Sequence, residues 1–186
     1  MVSTQLKDLI KMEVEAKILE INVEEVRKKI EELGAKLAYD DLQIVRILGF
    51  HDRPMQGFVR LRKIRDKVEL TYKGPKQKTG NVKTREEIET HVEDFEKALE
   101  IFEKIGLVVQ RSYEKHRISY KLGDITFEID RFPNIPEVPP WLEIEAPSQK
   151  EVEEMVEKLG FKKEDMKSYG GLELLKHYNI DQKDLK

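Results

Sequence analysis

Glu13-Val14-Glu15-Ala16-Lys17-Ile18 is the stretch on which the fold of this chain turns. Charged and apolar residues alternate without a break, the period of a β-strand whose two faces meet different surroundings. One face carries two carboxylates and an ammonium; Val14, Ala16 and Ile18 form the other. The Glu-x-Glu signature returns at Glu87-Ile88-Glu89 and at Glu143-Ile144-Glu145. Each copy is followed by a helical stretch that ends in an apolar residue and a glycine: Leu33-Gly34, Ile105-Gly106 and Leu159-Gly160. A strand and helix unit repeated in this way predicts a pseudo-symmetric sheet that curls on itself.

Working outward, three helices are marked by their ends and their apolar spacing. Asn22 opens VEEVRKKIEELG, and Ser148 opens QKEVEEMVEKLG with Glu151 in the capping-box position. VEDFEKALEIFEKIG lies between them, and a short fourth helix is expected from Gly171 to Tyr178. Alternation predicts strands near 12–20, 36–49, 57–65, 67–74, 82–91, 108–122, 124–132 and 141–146, with turns at Arg65-Asp66 and Gly123-Asp124. About eight strands with little helix to cover them would leave open edges, so a closed barrel in an α+β chain is expected. No linker rich in Gly, Ser or Pro divides the chain, which predicts one domain over 1–186 with a core at about 12–180.

Composition narrows the function. Among 186 residues, 34 Lys and Arg against 37 Asp and Glu give a net charge of −3, without the basic excess of a nucleic-acid binder. The absence of cysteine excludes disulfides, Cys-zinc sites and thiol chemistry. No apolar run approaches the roughly 20 residues of a membrane helix, and the start has no signal-peptide core, so a cytoplasmic protein is expected.

The strands sort their charges by sign. Glu13 and Glu15, Glu87 and Glu89, Glu128 and Asp130, and Glu143 and Glu145 are acidic pairs at i and i+2. Arg60 and Arg62, and Lys115 and Arg117, are basic pairs, joined on the same faces by Lys17, Lys73 and Arg85. In any one strand this is the pattern of a solvated sheet face. Like charges only about 7 Å apart gain nothing from exposure, however. Carboxylate pairs offer hard oxygens suited to Mg²⁺ or Mn²⁺, and Arg and Lys suit phosphate. Together they read as a barrel with a charged lumen built for a metal-bound polyphosphate.

These segments resemble the CYTH domain of the triphosphate tunnel metalloenzyme superfamily. Glu13-x-Glu15-x-Lys17 is similar to its ExExK signature. Val59-Arg60-Leu61-Arg62, Leu70-Thr71-Tyr72-Lys73-Gly74-Pro75 and Arg85-Glu86-Glu87-Ile88-Glu89 follow in family order. So do Lys115-x-Arg117-x-x-Tyr120, Glu128-Ile129-Asp130 and Leu142-Glu143-Ile144-Glu145. The LTYKGP segment and the ending Ser168-Tyr169 with Leu174-Leu175 resemble the class IV adenylate cyclase-like branch. One departure is Gly49, where that pattern carries an aromatic residue.

The resemblance implies an eight-stranded antiparallel tunnel with helices outside, acting on a small triphosphate with Mg²⁺ or Mn²⁺ as a monomer or homodimer. It implies that Lys17, Arg60, Arg62, Lys73, Arg85, Lys115 and Arg117 bind the triphosphate. It implies that Glu13, Glu15, Asp130, Glu143 and Glu145 hold metal, with Glu87, Glu89 and Glu128 as further ligands or as counter-ions of the bases. Glu13, Glu15 and Lys17 would be catalytic. Attack by the ribose 3′-hydroxyl would make cyclic AMP and pyrophosphate from ATP. Attack by water would hydrolyse ATP, inorganic tripolyphosphate or thiamine triphosphate. A non-catalytic polyphosphate or nucleotide sensor, or an RNA-end binder, is the other class; the eight carboxylates weigh against it.

Other features point less far. His51, His91, His116 and His177 lack metal-ligand spacing, and the loop 73–83 lacks a P-loop motif, so apart from Lys73 it reads as a solvated hairpin. Trp141 reads as a core anchor, Tyr113, Tyr120 and Tyr169 as packing or base-contacting groups, and the helix after Gly170-Gly171 as a candidate cap for one tunnel mouth. Glu13, Glu15, Glu143 and Glu145 are expected to repel one another when no metal is bound.

Overall fold

The computed structural model describes residues 11–181, with side chains from Val14 onward. The N-terminal stretch read for a signal peptide, and the side chain of Glu13, lie outside the described residues.

Alternation becomes strand wherever the sequence predicts it. The strands are β1 (Lys11–Ile18), β2 (Lys36–Phe50), β3 (Phe58–Ile64), β4 (Lys67–Lys73), β5 (Gln77–Thr79), β6 (Val82–Val92), β7 (Leu107–Leu122), β8 (Ile125–Arg131), β9 (Trp141–Ala146) and β10 (Met166–Lys167). All ladders are antiparallel, in the order β1-β9-β8-β7-β2-β3-β4-β6, and β6 returns to β1. Eight strands thus close a barrel, as expected. Strand β1 is its seam: Lys11–Glu15 pair with β6, and Val14–Ile18 pair with β9. The unpredicted β5 and β10, three and two residues long, are too short to show alternation.

The repeat is visible as β1-α1-β2, β6-α2-β7 and β9-α3, with α1 at Val23–Glu32, α2 at Phe95–Lys104 and α3 at Gln149–Lys158. Each helix starts on a side chain that accepts a backbone N–H: Asn22 from Glu25, Asp94 from Lys97 and Ser148 from Glu151. Such a cap contributes about 1 kcal/mol. Each ends at a glycine in the left-handed region, with φ of +87° at Gly34, +94° at Gly106 and +84° at Gly160. That conformation turns the chain back to the sheet at no steric cost to glycine.

The apolar strand faces look outward, onto the helices. Ile118, Phe127, Ile129, Leu142 and Ile144 pack against Val26 and Ile30 of α1 and Val152, Val156 and Leu159 of α3. Leu48, Leu61 and Val68 pack against Phe95 and Ala98 of α2. Burying each such large side chain is worth about 1.5–3 kcal/mol. The core therefore lies between barrel and helices, which leaves the lumen to the charges. A third cluster joins Phe132, Ile135, Val138 and Trp141 to Leu174 and Leu175 of α4 (Gly171–His177), fixing α4 across one end of the barrel. Gly49 has its own explanation: a Cβ there would lie 2.4 Å from Nε2 of Gln110, whose amide occupies the space an aromatic side chain would need. No helix among the described residues is long and apolar enough to cross a membrane.

Candidate active site

Residues two apart share a strand face, so the charged positions of the barrel strands point into the lumen together. At the end beneath α4 they surround a cavity of about 420 Å³. Among the described residues nine Lys and Arg side chains line it, against four Glu, although the chain as a whole is acidic.

One wall is a knot of carboxylates tied by lysines. The ladder sets Glu15 opposite Glu145 and Lys17 opposite Glu143. The Lys17 ammonium lies 3.0 Å from Oε1 of Glu15 and 2.8 Å from Oε1 of Glu143. Lys83, from β6, donates to the same oxygen of Glu15, and Trp141 Nε1 donates to Glu143 Oε1 at 2.9 Å. Oxygens of Glu15, Glu143 and Glu145 lie within 4.8 Å of one another. Burial would raise the Glu15 and Glu143 pKa values. Lys17 with Lys83 at Glu15, and Lys17 with Lys115 and Arg117 at Glu143, outweigh it and hold both carboxyls below the ordinary range. Lys17 responds in kind: burial works against its charge, but Glu143 and Glu15 raise its pKa. The expected repulsion is present, since Glu143 raises the Glu15 pKa, but Lys17 and Lys83 outweigh it.

A second knot sits deeper. Arg117 donates to Asp130 from Nε at 2.7 Å and from Nη2 at 2.6 Å, and Nη2 also reaches Glu143 at 3.3 Å. Its Nη1 contacts Glu128, and Lys115 donates to Asp130 at 2.7 Å. Glu128, Asp130 and Glu143 also bring oxygens within 4.8 Å. Burial raises the Glu128 pKa despite Arg117, whereas burial and the neighbouring Arg117 lower that of Lys115.

The remaining bases divide. Arg60, Lys73 and Arg85 line the cavity with Lys17, Lys115 and Arg117. Arg62 does not. It donates to Glu69 from Nε at 2.7 Å, because the β3–β4 register sets the two opposite each other. Glu87 holds Lys73, and Glu89 accepts from Thr71 at 3.2 Å beside Arg60. Neither belongs to a carboxylate group within ligand reach among the described residues. The loop 73–83 is a hairpin exposed at Pro75 and over 77–81, as expected, but two of its lysines are drawn inward. Lys83 is buried, and Lys76 lines the cavity and donates to Glu173 of α4, which Lys78 also reaches at 2.6 Å. Helix α4 does cover the mouth, with Gly170, Leu172, Leu174 and Leu175 on its lining.

The CYTH domain family matches residues 11–169. This chain is a CYTH protein. A Methanocaldococcus jannaschii protein provisionally named an adenylate cyclase is 35% identical over 125 residues, which cover 66% of this chain and 70% of that one. A Pyrococcus horikoshii protein of known structure shares 31% identity, with a TM-score of 0.73 over 91% of this chain and 99% of its own. A Hippeastrum protein, provisionally an adenylyl cyclase and described as having dominant triphosphatase activity, shares the fold. Its TM-score is 0.66 at 16% identity, over 91% of this chain and 97% of its own. CYTH proteins are triphosphate-acting enzymes whose tunnels use divalent metals.

Three residues of this CYTH cavity escaped the sequence reading: Lys76, Lys83 and Arg111. Lys83 and Arg111 had a usable signal, since each lies two residues before a residue on the inward face, Arg85 and Tyr113. Lys76 had none, because its position depends on α4. Tyr113 lines the cavity and packs edge-on against Phe132, while Tyr120 lies outside the barrel and donates to Glu31. The histidines stay apart from the cavity lining; His116 pairs with Asp40 and His177 meets the Tyr178 ring edge-on.

Proposed function

We propose that this chain is a divalent-metal-dependent enzyme that takes a triphosphate into the barrel and, with ATP, forms cyclic AMP and pyrophosphate. The excess of nine bases over four acids among the described residues of one cavity in an acidic protein carries the reading. A polyanion neutralises that excess, and buried charge-assisted contacts to it are strong. Trp141, Phe132 and Leu172 add an apolar stretch to the lining, suited to the organic part of a nucleotide.

The carboxylate wall fits a metal by donor chemistry. Three hard oxygens from Glu15, Glu143 and Glu145 lie within 4.8 Å of one another. Across a Mg²⁺ ion with ligands at about 2.1 Å, opposite oxygens would be about 4.2 Å apart. Bound there, Mg²⁺ or Mn²⁺ would draw charge from a phosphoryl group and lower the pKa of the attacking oxygen. Asp130 accepts from Arg117 and Lys115 with both oxygens, as Glu143 does from Trp141 and Arg117, and with Glu128 and Glu143 it forms a second group of carboxylates within ligand reach. Arg60, Lys73, Arg85, Lys115 and Arg117 hold the phosphates and withdraw charge as the bond breaks. Lys17 sits between two carboxylates and beside the phosphates, placed to turn from the first to the second.

Hydrolysis is the second reading, and one observation favours it. Among the described residues the cavity lining contains no Asn, Gln, Ser or Thr, so base edges would find few neutral hydrogen-bonding partners there. An assay offering ATP, tripolyphosphate and thiamine triphosphate with Mg²⁺ or Mn²⁺, following cyclic AMP and phosphate separately, tests both. Cyclic AMP from ATP supports the first reading, and phosphate alone supports the second. Turnover of none of the three with either metal overturns the enzyme reading.

A further inference from the structure

We propose that Arg111, with Arg85 and Phe58, forms a subsite for the terminal phosphate group of the substrate at the rim of the cavity. This rests on the triphosphate reading above and adds to it a specificity-determining residue and an orientation. Arg111 precedes Tyr113 by two on β7 and shares its inward face. In the ladders on either side of β2, Arg111 and Arg60 both stand opposite Ile47, so neighbouring strands bring two guanidiniums to one level. The Arg85 guanidinium lies 5.1 Å from the centre of the Phe58 ring, and that of Arg111 lies 6.0 Å from it.

Counter-charge sets this rim apart. Lys17, Lys73, Lys83, Lys115 and Arg117 each contact a carboxylate in the lumen. Among the described residues Arg111 is in no ion pair. Arg85 stands opposite Glu13 in the ladder, and its Nε, like that of Arg60, is buried without an acceptor. Burial, with Arg85 alongside, pushes the Arg111 pKa down. A guanidinium nevertheless keeps its charge at neutral pH, so Arg111 stands among other cations without a carboxylate partner among the described residues, and Arg60 reaches Glu89 only at 3.6 Å. A terminal phosphate brings three oxygens to such forked donors, whereas a nucleobase brings no charge. The organic end of a nucleotide then lies at the wall of Trp141, Phe132 and Leu172, which offers it apolar contact.

Titration calorimetry on the metal-free protein, with tripolyphosphate, ATP and adenosine as probes, tests the assignment without turnover. Arg111→Gln should weaken tripolyphosphate and ATP by the same factor, about tenfold or more, and leave adenosine unchanged. Arg111→Lys should retain part of the affinity, and unchanged near-ultraviolet circular dichroism in both variants shows that the fold is intact. If ATP weakens while tripolyphosphate does not, Arg111 holds the base and the proposal fails. If Arg111→Gln changes neither while Arg60→Gln weakens both, the proposal fails and the triphosphate reading stands. If neither variant changes either ligand, both fail.

Discussion

At the end of the lumen away from α4, Arg62 is held by Glu69, and Gln43 donates to the Tyr39 hydroxyl at 3.1 Å. At the end beneath α4, Arg60, two residues earlier on the same strand, reaches Glu89 only at 3.6 Å, has a buried Nε with no acceptor and faces an open cavity. The residue types match and the outcomes are opposite. What separates the ends is local counter-charge: Arg62 meets its acid directly across the ladder, whereas at the cavity the described bases outnumber the described acids. A row of Arg on a strand is therefore no binding surface until its cross-strand partners are known.

The largest effect should come from the knot at the open end. Lys17→Met leaves Glu15 and Glu143 short of a buried partner, and breaking such a pair costs about 3–5 kcal/mol. Urea unfolding of the metal-free protein should show a loss of that size. Glu15→Gln should also melt lower without metal, since Lys17 and Lys83 lose their shared acceptor, and Mg²⁺ should raise its melting temperature less than that of wild type. Unchanged metal-free stability in both variants would mean that the knot is solvated.

A sharper comparison pits Arg60 against Arg62. Calorimetry with tripolyphosphate should show Arg60→Gln losing about 1.5–3 kcal/mol, the value of a hydrogen bond to a charged group. Arg62→Gln should lose far less, because its fork is already engaged. Equal losses would bring the end at Arg62 into the binding surface.

Stability against pH follows from the same knot. The Glu15 pKa is depressed, so its contribution is fully present above the unfolded value of about 4.3 and lost as pH falls through the folded one. The Lys17 pKa is raised, so its share persists below about 10.4 and is lost only at higher pH. The metal-free protein should therefore hold a stability plateau between roughly pH 5 and 10, bounded by those unfolded values. A peak confined near neutrality, read from melts across that range, would contradict the paired arrangement.

The smallest effect concerns the tie to α4. Glu173 is partly exposed, and its carboxyl is held down at about 2 by the Gly170 N–H and by Lys76 and Lys78, against the pull of burial. Glu173→Gln should cost at most about 1 kcal/mol, as exposed pairs do. A larger loss in thermal melts would make the tie part of the core.

Much of this was legible in the sequence because the barrel separates its faces so cleanly. Alternation located the eight barrel strands, and Asn22, Ser148 and the three terminal glycines marked the helices. The pairing of charges was harder to see. A two-residue turn at Arg65-Asp66 sets Arg62 opposite Glu69, so that ion pair was readable in principle from the hairpin alone. Lys83 was hidden by the basic loop before it, although it alternates with Arg85. The contact of Lys76 with Glu173 spans 97 positions and no local pattern encodes it.

The seam at β1 has a consequence for how the molecule is made. Glu15 and Lys17 leave the ribosome before their ladder partners Lys83, Glu143 and Glu145, which follow some 70 to 130 residues later. Closing loops of that length comes late and slowly in folding. A nascent chain that has built β2, β3 and β4 still has an unpaired first strand and no assembled carboxylate wall. The chemistry of this protein is thus withheld until the barrel is shut, and a chain truncated before Trp141 should bind neither metal nor triphosphate.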